Sequence, residues 1–138
     1  MILGVGIDLL DINRIKRLFG KFDSNRFAGK ILSKKEIELF NNIVDVNKKI
    51  NFIAKRFSSK ESVLKAIGLG LGRGIGLTDI SVLNDILGKP EISFNESSMR
   101  FLENFYNIDY KNIDFKMSVT DENSLVNTIV IISKKDVK

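Results

Sequence analysis

The chemistry this chain can offer is concentrated in Asp8 near its start and in Arg56, Lys60, Glu61 and Lys65 in mid-chain. Carboxylates and cations have to suffice, because the 138 residues include no histidine and no cysteine. Those two absences exclude a thiol nucleophile, a Ser-His-Asp triad, a disulfide and a zinc site of the usual N/S type. A metal bound here would be a hard cation on oxygen ligands, which points to Mg²⁺, Ca²⁺ or Mn²⁺. Acid–base work would fall to Asp, Glu, Lys, Tyr or bound water.

Each group has a plain reading beside its chemical one. Arg56 and Lys60 stand i, i+4 on a helix, as do Glu61 and Lys65; this is either ordinary salt bridging on a solvated face or an anion site with a carboxylate left over for a metal. Asp8 ends an apolar strand and is reached past Gly4 and Gly6. It either caps the following turn or marks a backbone that a ligand can approach. The run from Gly68 to Gly76 lacks a following Gly-Lys-Ser/Thr and the i, i+2, i+5 glycine spacing, so it is neither a P-loop nor a dinucleotide fingerprint. It is a turn, or a stretch of accessible N–H groups facing a phosphate. Glu36 is accounted for by the capping box Ser33-Lys34-Lys35-Glu36.

The elements that position these residues follow from periodicity. Alternation over residues 2–8 predicts a strand with Leu3, Val5 and Ile7 on its buried face. Asp11 caps a helix over about 12–20, whose face carries Arg14, Arg17 and Lys21 at i, i+3, i+7. A second helix opens at Ser33, and a longer one runs from about Asn47 to Ile67 and stops at Gly68. Strands follow at Thr78–Leu83 and Pro90–Phe94, joined around Gly88-Lys89-Pro90, then a helix at Ser97–Tyr106. Ile113–Val119 alternates, and Leu125–Ile132 is nearly continuous apolar, as in a fully buried strand. The class is α+β, a small antiparallel or mixed sheet packed against helices, in one domain spanning 1–138.

Charge is distributed unevenly. Residues 13–73 carry 15 Lys+Arg against 5 Asp+Glu, whereas residues 74–138 carry 7 against 10. The basic half is either a solvated lysine-rich surface or one that meets nucleic acid, a phosphorylated ligand or an acidic protein. No stretch approaches the roughly 18 to 20 apolar residues of a membrane span, and the N-terminus lacks a signal peptide's basic start. A cytoplasmic protein without membrane association is expected.

Several segments together resemble one family. Gly4-Val5-Gly6-Ile7-Asp8-Leu9-Leu10-Asp11-Ile12-Asn13-Arg14-Ile15 is similar to the opening signature of holo-acyl-carrier-protein synthases, the small 4′-phosphopantetheinyl transferases. Lys55-Arg56-Phe57-Ser58-Ser59-Lys60-Glu61-Ser62-Val63-Leu64-Lys65-Ala66-Ile67-Gly68 resembles their second signature. Ile31-Leu32-Ser33-Lys34-Lys35-Glu36, Asp79-Ile80-Ser81-Val82 and Gly88-Lys89-Pro90 fall in the family's order and spacing.

The resemblance implies transfer of the 4′-phosphopantetheine arm of coenzyme A to a serine hydroxyl of apo acyl carrier protein. Asp8 and Glu61 would hold Mg²⁺. Arg56, Lys60 and Lys65 would hold coenzyme A phosphates, with Gly68, Lys89, Pro90 and Thr120 at the cofactor cleft. Arg14, Arg17 and Lys21 would meet the carrier protein. The family also implies a homotrimer with active sites between subunits, Asp8 and Glu61 of one facing cofactor contacts of the next. One motif departs: Ser118-Val119-Thr120-Asp121 stands where a histidine commonly ends the pattern. Asp121, Glu122 or a metal-bound water is then left as the base. The rival reading is a non-catalytic basic module that binds RNA through Lys, Arg and exposed Phe.

Overall fold

A 22-residue helix, α4 (Val46–Ile67), runs through the centre of the fold. The computed structural model describes residues 1–70 and 73–136, so Leu71 and Gly72 of the glycine run lie outside the described residues. Ahead of α4 come β1 (Ile2–Asp11), α1 (Ile12–Lys21), α2 (Ser24–Gly29) and α3 (Lys34–Asn41). After it come a turn of 3₁₀ helix at Leu77–Asp79, then β2 (Ile80–Asn84), β3 (Pro90–Phe94) and α5 (Glu96–Tyr106). A second 3₁₀ turn at Tyr110–Asn112 leads into β4 (Ile113–Glu122) and β5 (Leu125–Lys134). The α+β class is as expected. An antiparallel sheet in the order β1-β5-β4 lies against α4, and β2-β3 forms a separate antiparallel hairpin. Among the described residues no helix is long and apolar enough to cross a membrane.

Local signals set the boundaries. The Asp11 carboxylate accepts from Asn13 N at 2.9 Å and opens α1. Ser33 and Glu36 close the expected capping box, Ser33 N donating to Glu36 Oε1 at 2.8 Å. At Gly68 the chain turns left-handed (φ +87°), and the N–H groups of Gly68 and Leu69 both donate to Leu64 O, a geometry glycine adopts without a Cβ penalty. Helix α2 was not foreseen, although Asp23 caps it by accepting from Asn25 N and Arg26 N.

Two expectations about the sheet are overturned. Val5, Ile7 and Leu9 are the exposed face of β1, at 54%, 57% and 65%, while Gly6 and Leu10 are buried. The glycines do not open a path for a ligand: a Cβ on Gly4 would overlap Ala66 O, and one on Gly6 would sit 2.6 Å from Ala66 N. The side-chain-free face is what lets the α4 backbone approach the sheet. Alternation names two faces, and here the helix selects the bare one. Strand β5 is likewise buried on one face alone. Val126, Thr128, Val130 and Ile132 point to α4, whereas Leu125 and Ile129 are exposed. Register aligns Ile7 with Ile129 and Val5 with Ile131, so the outer face carries an apolar patch across β1 and β5, bordered on β4 by Lys116, Ser118 and Thr120.

Two apolar cores flank α4. One, around Ile15, Phe40 and Ile53, joins α1, α2 and α3 to the helix. The other, around Val63, Ile80, Leu102 and Ile132, joins it to the sheet, the hairpin and α5. Leu77 packs on both.

Candidate active site

Asp8 points from β1 toward α4, and the helix meets it with Ser58, Glu61, Ser62 and Lys65, one stripe at i, i+3, i+4, i+7. Ser58 Oγ donates to Asp8 Oδ2 at 2.8 Å, and Lys65 Nζ donates to Asp8 Oδ1 at 3.2 Å and to Ile7 O at 3.1 Å. Behind Ser58 lies a buried hydroxyl chain: Thr128 Oγ1 is 3.0 Å from Ser58 Oγ and 2.5 Å from Ser62 Oγ. Ser58 Oγ gives its proton to Asp8, and Thr128 Oγ1 donates to Ser58 O at 3.0 Å. Burial raises the pKa of Glu61 above the usual carboxylate range and the Asp8 charge adds to the rise; Lys65 and Arg14 partly oppose it. One Glu61 oxygen, Oε1, is buried without a hydrogen-bond partner.

An orphaned carboxylate oxygen beside a second carboxylate is a poor arrangement for a protein on its own and a good one for a hard divalent cation. Among the described residues no cluster of three or more Asp, Glu, His or Cys could enclose a metal. Asp8 and Glu61 therefore fit an ion that draws its remaining oxygens from water and phosphate, as Mg²⁺ commonly does.

On another flank of α4, Arg56 and Lys60 share one carboxylate. Glu36 is fully buried, and its Oε1 accepts from Ser33 N at 2.8 Å and from Lys60 Nζ at 2.5 Å. Its Oε2 accepts from Val82 N at 3.0 Å, with Arg56 Nε 3.9 Å away. Lys60 is also fully buried and donates to Ile31 O at 2.7 Å, so within this chain it has no surface to offer a phosphate. The capping box explains only part of Glu36, which also ties α3 to α4 and β2. Neither the solvated-face reading of Arg56 and Lys60 nor the assignment of Lys60 as a phosphate ligand survives this geometry.

Arg56 lines a cleft of about 490 Å³ between α4, the β2-β3 hairpin and the end of β4, together with Lys55, Ser59, Lys89, Pro90 and Asp121. Its guanidinium stacks on Phe52, 3.9 Å from the ring centroid. Asp121 faces Lys55 across 3.7 Å and is half exposed. The structure thus gathers Arg56, Lys89, Pro90 and Asp121 and leaves other expected members elsewhere. Thr120 lies on the outer sheet face, in register with Asn127 and Leu9. Gly68 is at the far end of α4.

Asp121 is also remote from Asp8. Asp8 pairs with Thr128 and Thr128 with Val119, which puts Asp121 two strands across and two residues along, about 12 Å between Cα atoms. One chain therefore carries the carboxylate pair and the cationic cleft on different flanks of α4. Arg14, Arg17 and Lys21 are exposed on α1, and Arg14 is near enough to Glu61 to act on its charge. Sequence reasoning missed Ser58, Ser62, Thr128 and Phe52; the serines at i, i+4 beside Glu61 and Lys65 were the available signal.

Comparison with known proteins shows the family and the fold. Residues 4–126 match the family described as the 4′-phosphopantetheinyl transferase superfamily. A holo-[acyl-carrier-protein] synthase of Orientia tsutsugamushi (strain Boryong) is 39% identical over 133 residues, covering 96% of this chain and 98% of the relative. The crystal structure of a holo-[acyl-carrier-protein] synthase from Neisseria meningitidis superposes with a TM-score of 0.84 at 33% identity, over 97% of this chain and all of that one. That of Helicobacter pylori, in complex with coenzyme A, gives 0.74 at 26% identity over 94% and 99%. The chain belongs to the 4′-phosphopantetheinyl transferase superfamily.

Proposed function

We propose that this protein transfers 4′-phosphopantetheine from coenzyme A to a serine hydroxyl of apo acyl carrier protein, releasing adenosine 3′,5′-bisphosphate, with Mg²⁺ held by Asp8 and Glu61. The observation that carries the reading is the Asp8–Glu61 pair, with its orphaned Oε1 and its hydroxyl-anchored partner, in a chain that resembles coenzyme A-binding synthases over nearly its whole length. Mg²⁺, when bound, neutralises pyrophosphate charge as the phosphorus–oxygen bond to the leaving nucleotide breaks.

This chain's own residues do the positioning. Ser58 and Lys65 hold Asp8 in one orientation, and Arg56 offers the cleft a fixed cation for phosphate. Phosphoryl-type transfer needs placement and charge neutralisation more than covalent help, so no histidine is required. The serine proton passes to Asp121, which we assign as base. Since Asp121 is about 12 Å from Asp8 within a chain, it serves the carboxylate pair of an adjoining copy. We accordingly place the active site between subunits of a homotrimer. The exposed apolar face of Val5, Ile7, Leu9 and Ile129 supports such self-association. Arg14, Arg17 and Lys21 would steer an acidic carrier toward Glu61. A cysteine-free chain suits the reducing cytoplasm, where we place the enzyme.

The RNA-binding alternative has lost its footing, because Lys60 is buried against Glu36 and the phenylalanines other than Phe22 and Phe105 pack in or against the two cores. The direct test is mass spectrometry of apo carrier protein incubated with the protein, coenzyme A and Mg²⁺. Gain of one phosphopantetheine, abolished by chelator, is expected. No gain across several apo carriers with folded protein would refute the reading.

A further inference from the structure

Two cations and one carboxylate are buried together at the wall of the cleft, and their hydrogen bonds are unevenly shared. Both Glu36 oxygens are occupied by Ser33 N, Val82 N and Lys60 Nζ. Arg56 sits 3.9 Å from Oε2, and its Nε is buried with no hydrogen-bond partner. Among the described residues the Arg56 guanidinium donates no hydrogen bond to protein; the Phe52 ring and the nearby charge hold it in place. If Glu36 served only to anchor Arg56, one cation would be enough. The second, Lys60, lies closer and reaches no solvent.

We propose that Lys60 and Glu36 are positioning residues for Arg56: Lys60 neutralises Glu36, leaving the charge and donors of Arg56 for a phosphate of the nucleotide in the cleft. The proposal rests on the transfer reading above and replaces direct contact between Lys60 and that phosphate. Without Lys60, Glu36 is left with Arg56 as its sole counter-ion. The guanidinium would close the 3.9 Å gap, and the remaining Arg56–Glu36 pair would no longer present a net positive charge to the cleft.

The test is calorimetric titration of coenzyme A and of adenosine 3′,5′-bisphosphate into the wild-type protein and four variants. Lys60→Met should weaken binding of both probes about tenfold or more, the loss of a charge-assisted hydrogen bond. The double variant Glu36→Gln/Lys60→Met should return to within about threefold of wild type, because Arg56 is then no longer drawn back. Arg56→Met should bind as weakly as Lys60→Met, and combining the two should cost nothing further. Wild-type affinity in folded Lys60→Met would overturn the proposal. So would a double variant that stays as weak as the single one, since Lys60 would then act on the ligand itself. Should Lys60→Met fail to fold, the double variant decides alone by the same criterion. A wild-type protein that binds neither probe removes the transfer reading itself, which distinguishes that failure from an error in the charge assignment.

Discussion

Replacing Ser58 by alanine isolates one hydrogen bond at the proposed metal site. Ser58 Oγ donates to Asp8 Oδ2 at 2.8 Å, and the Asp8 side chain is only 14% exposed. The substitution removes that donor and little else. Thr128 Oγ1 keeps Ser62 Oγ at 2.5 Å and Ser58 O at 3.0 Å, so no buried hydroxyl is stranded. Lys65 still holds Oδ1. A hydrogen bond to a charged group is worth about 1.5–3 kcal/mol. Partial access of water to Asp8 places this one near the lower end, about 1.5 kcal/mol, or roughly tenfold in kcat/KM. The loss should appear as a higher Mg²⁺ concentration for half-maximal transfer, measured at fixed coenzyme A and carrier, together with a lower unfolding midpoint of the metal-free protein, since the same bond is present without metal. A folded Ser58→Ala enzyme with wild-type Mg²⁺ dependence and kcat/KM would refute the anchoring of Asp8 by this hydroxyl.

Other perturbations probe the remaining parts. Glu61→Gln should abolish transfer, and wild-type turnover would show the metal assignment to be wrong. The Glu61 carboxyl binds its proton more tightly folded than unfolded, so metal-free stability falls as pH rises from the unfolded pKa through the raised folded one. At neutral pH the metal-free Gln variant should therefore melt at or above the wild type, and added Mg²⁺ should raise the midpoint of the wild type alone. Ile7→Asp, on the outer apolar face, should yield a folded monomer without transfer activity; a trimer by sedimentation would remove that face from the interface. Transfer to the carrier should slow as salt increases, and neutralising Arg14, Arg17 and Lys21 should flatten the dependence; an unchanged salt slope would dissociate this stripe from the carrier. For Asp121→Asn, an unaltered acidic limb in the pH–rate profile would exclude Asp121 as the base.

Signals confined to a few neighbouring residues were legible in the sequence. The Ser33–Glu36 capping box, the Asp11 cap and the Gly68 stop each depend on bonds within one turn, and each formed as expected. Orientation was not local. The choice between the two faces of β1 is made by α4, some fifty residues later, which needs bare backbone at Gly4 and Gly6 to come close. An apolar face left outside by that choice looks in sequence like a core face. Lys60 failed for a related reason: a lysine at helical spacing reads as solvated, and only the fold brings Glu36, Ile31 O and burial to it. The carboxylate pair was legible through motif resemblance, whereas its separation from Asp121 required the strand register.

That separation changes what the exposed sheet face means. Were Asp8, Glu61, Arg56 and Asp121 gathered in one cavity, an apolar outer surface would bear on solubility and assembly but not on chemistry. Here α4 divides them, with the carboxylates held on the flank that meets β1 and the cationic cleft on the flank that meets the hairpin and β4. Side-chain motion does not bridge roughly 12 Å through a packed sheet. On the proposed reading, a reaction that requires both draws them from different chains. The patch of Val5, Ile7, Leu9 and Ile129 is continuous with β1, the strand that carries Asp8. Docking a second copy there would cover apolar surface and complete the site in the same event, so activity should fall with assembly on dilution, not merely with stability.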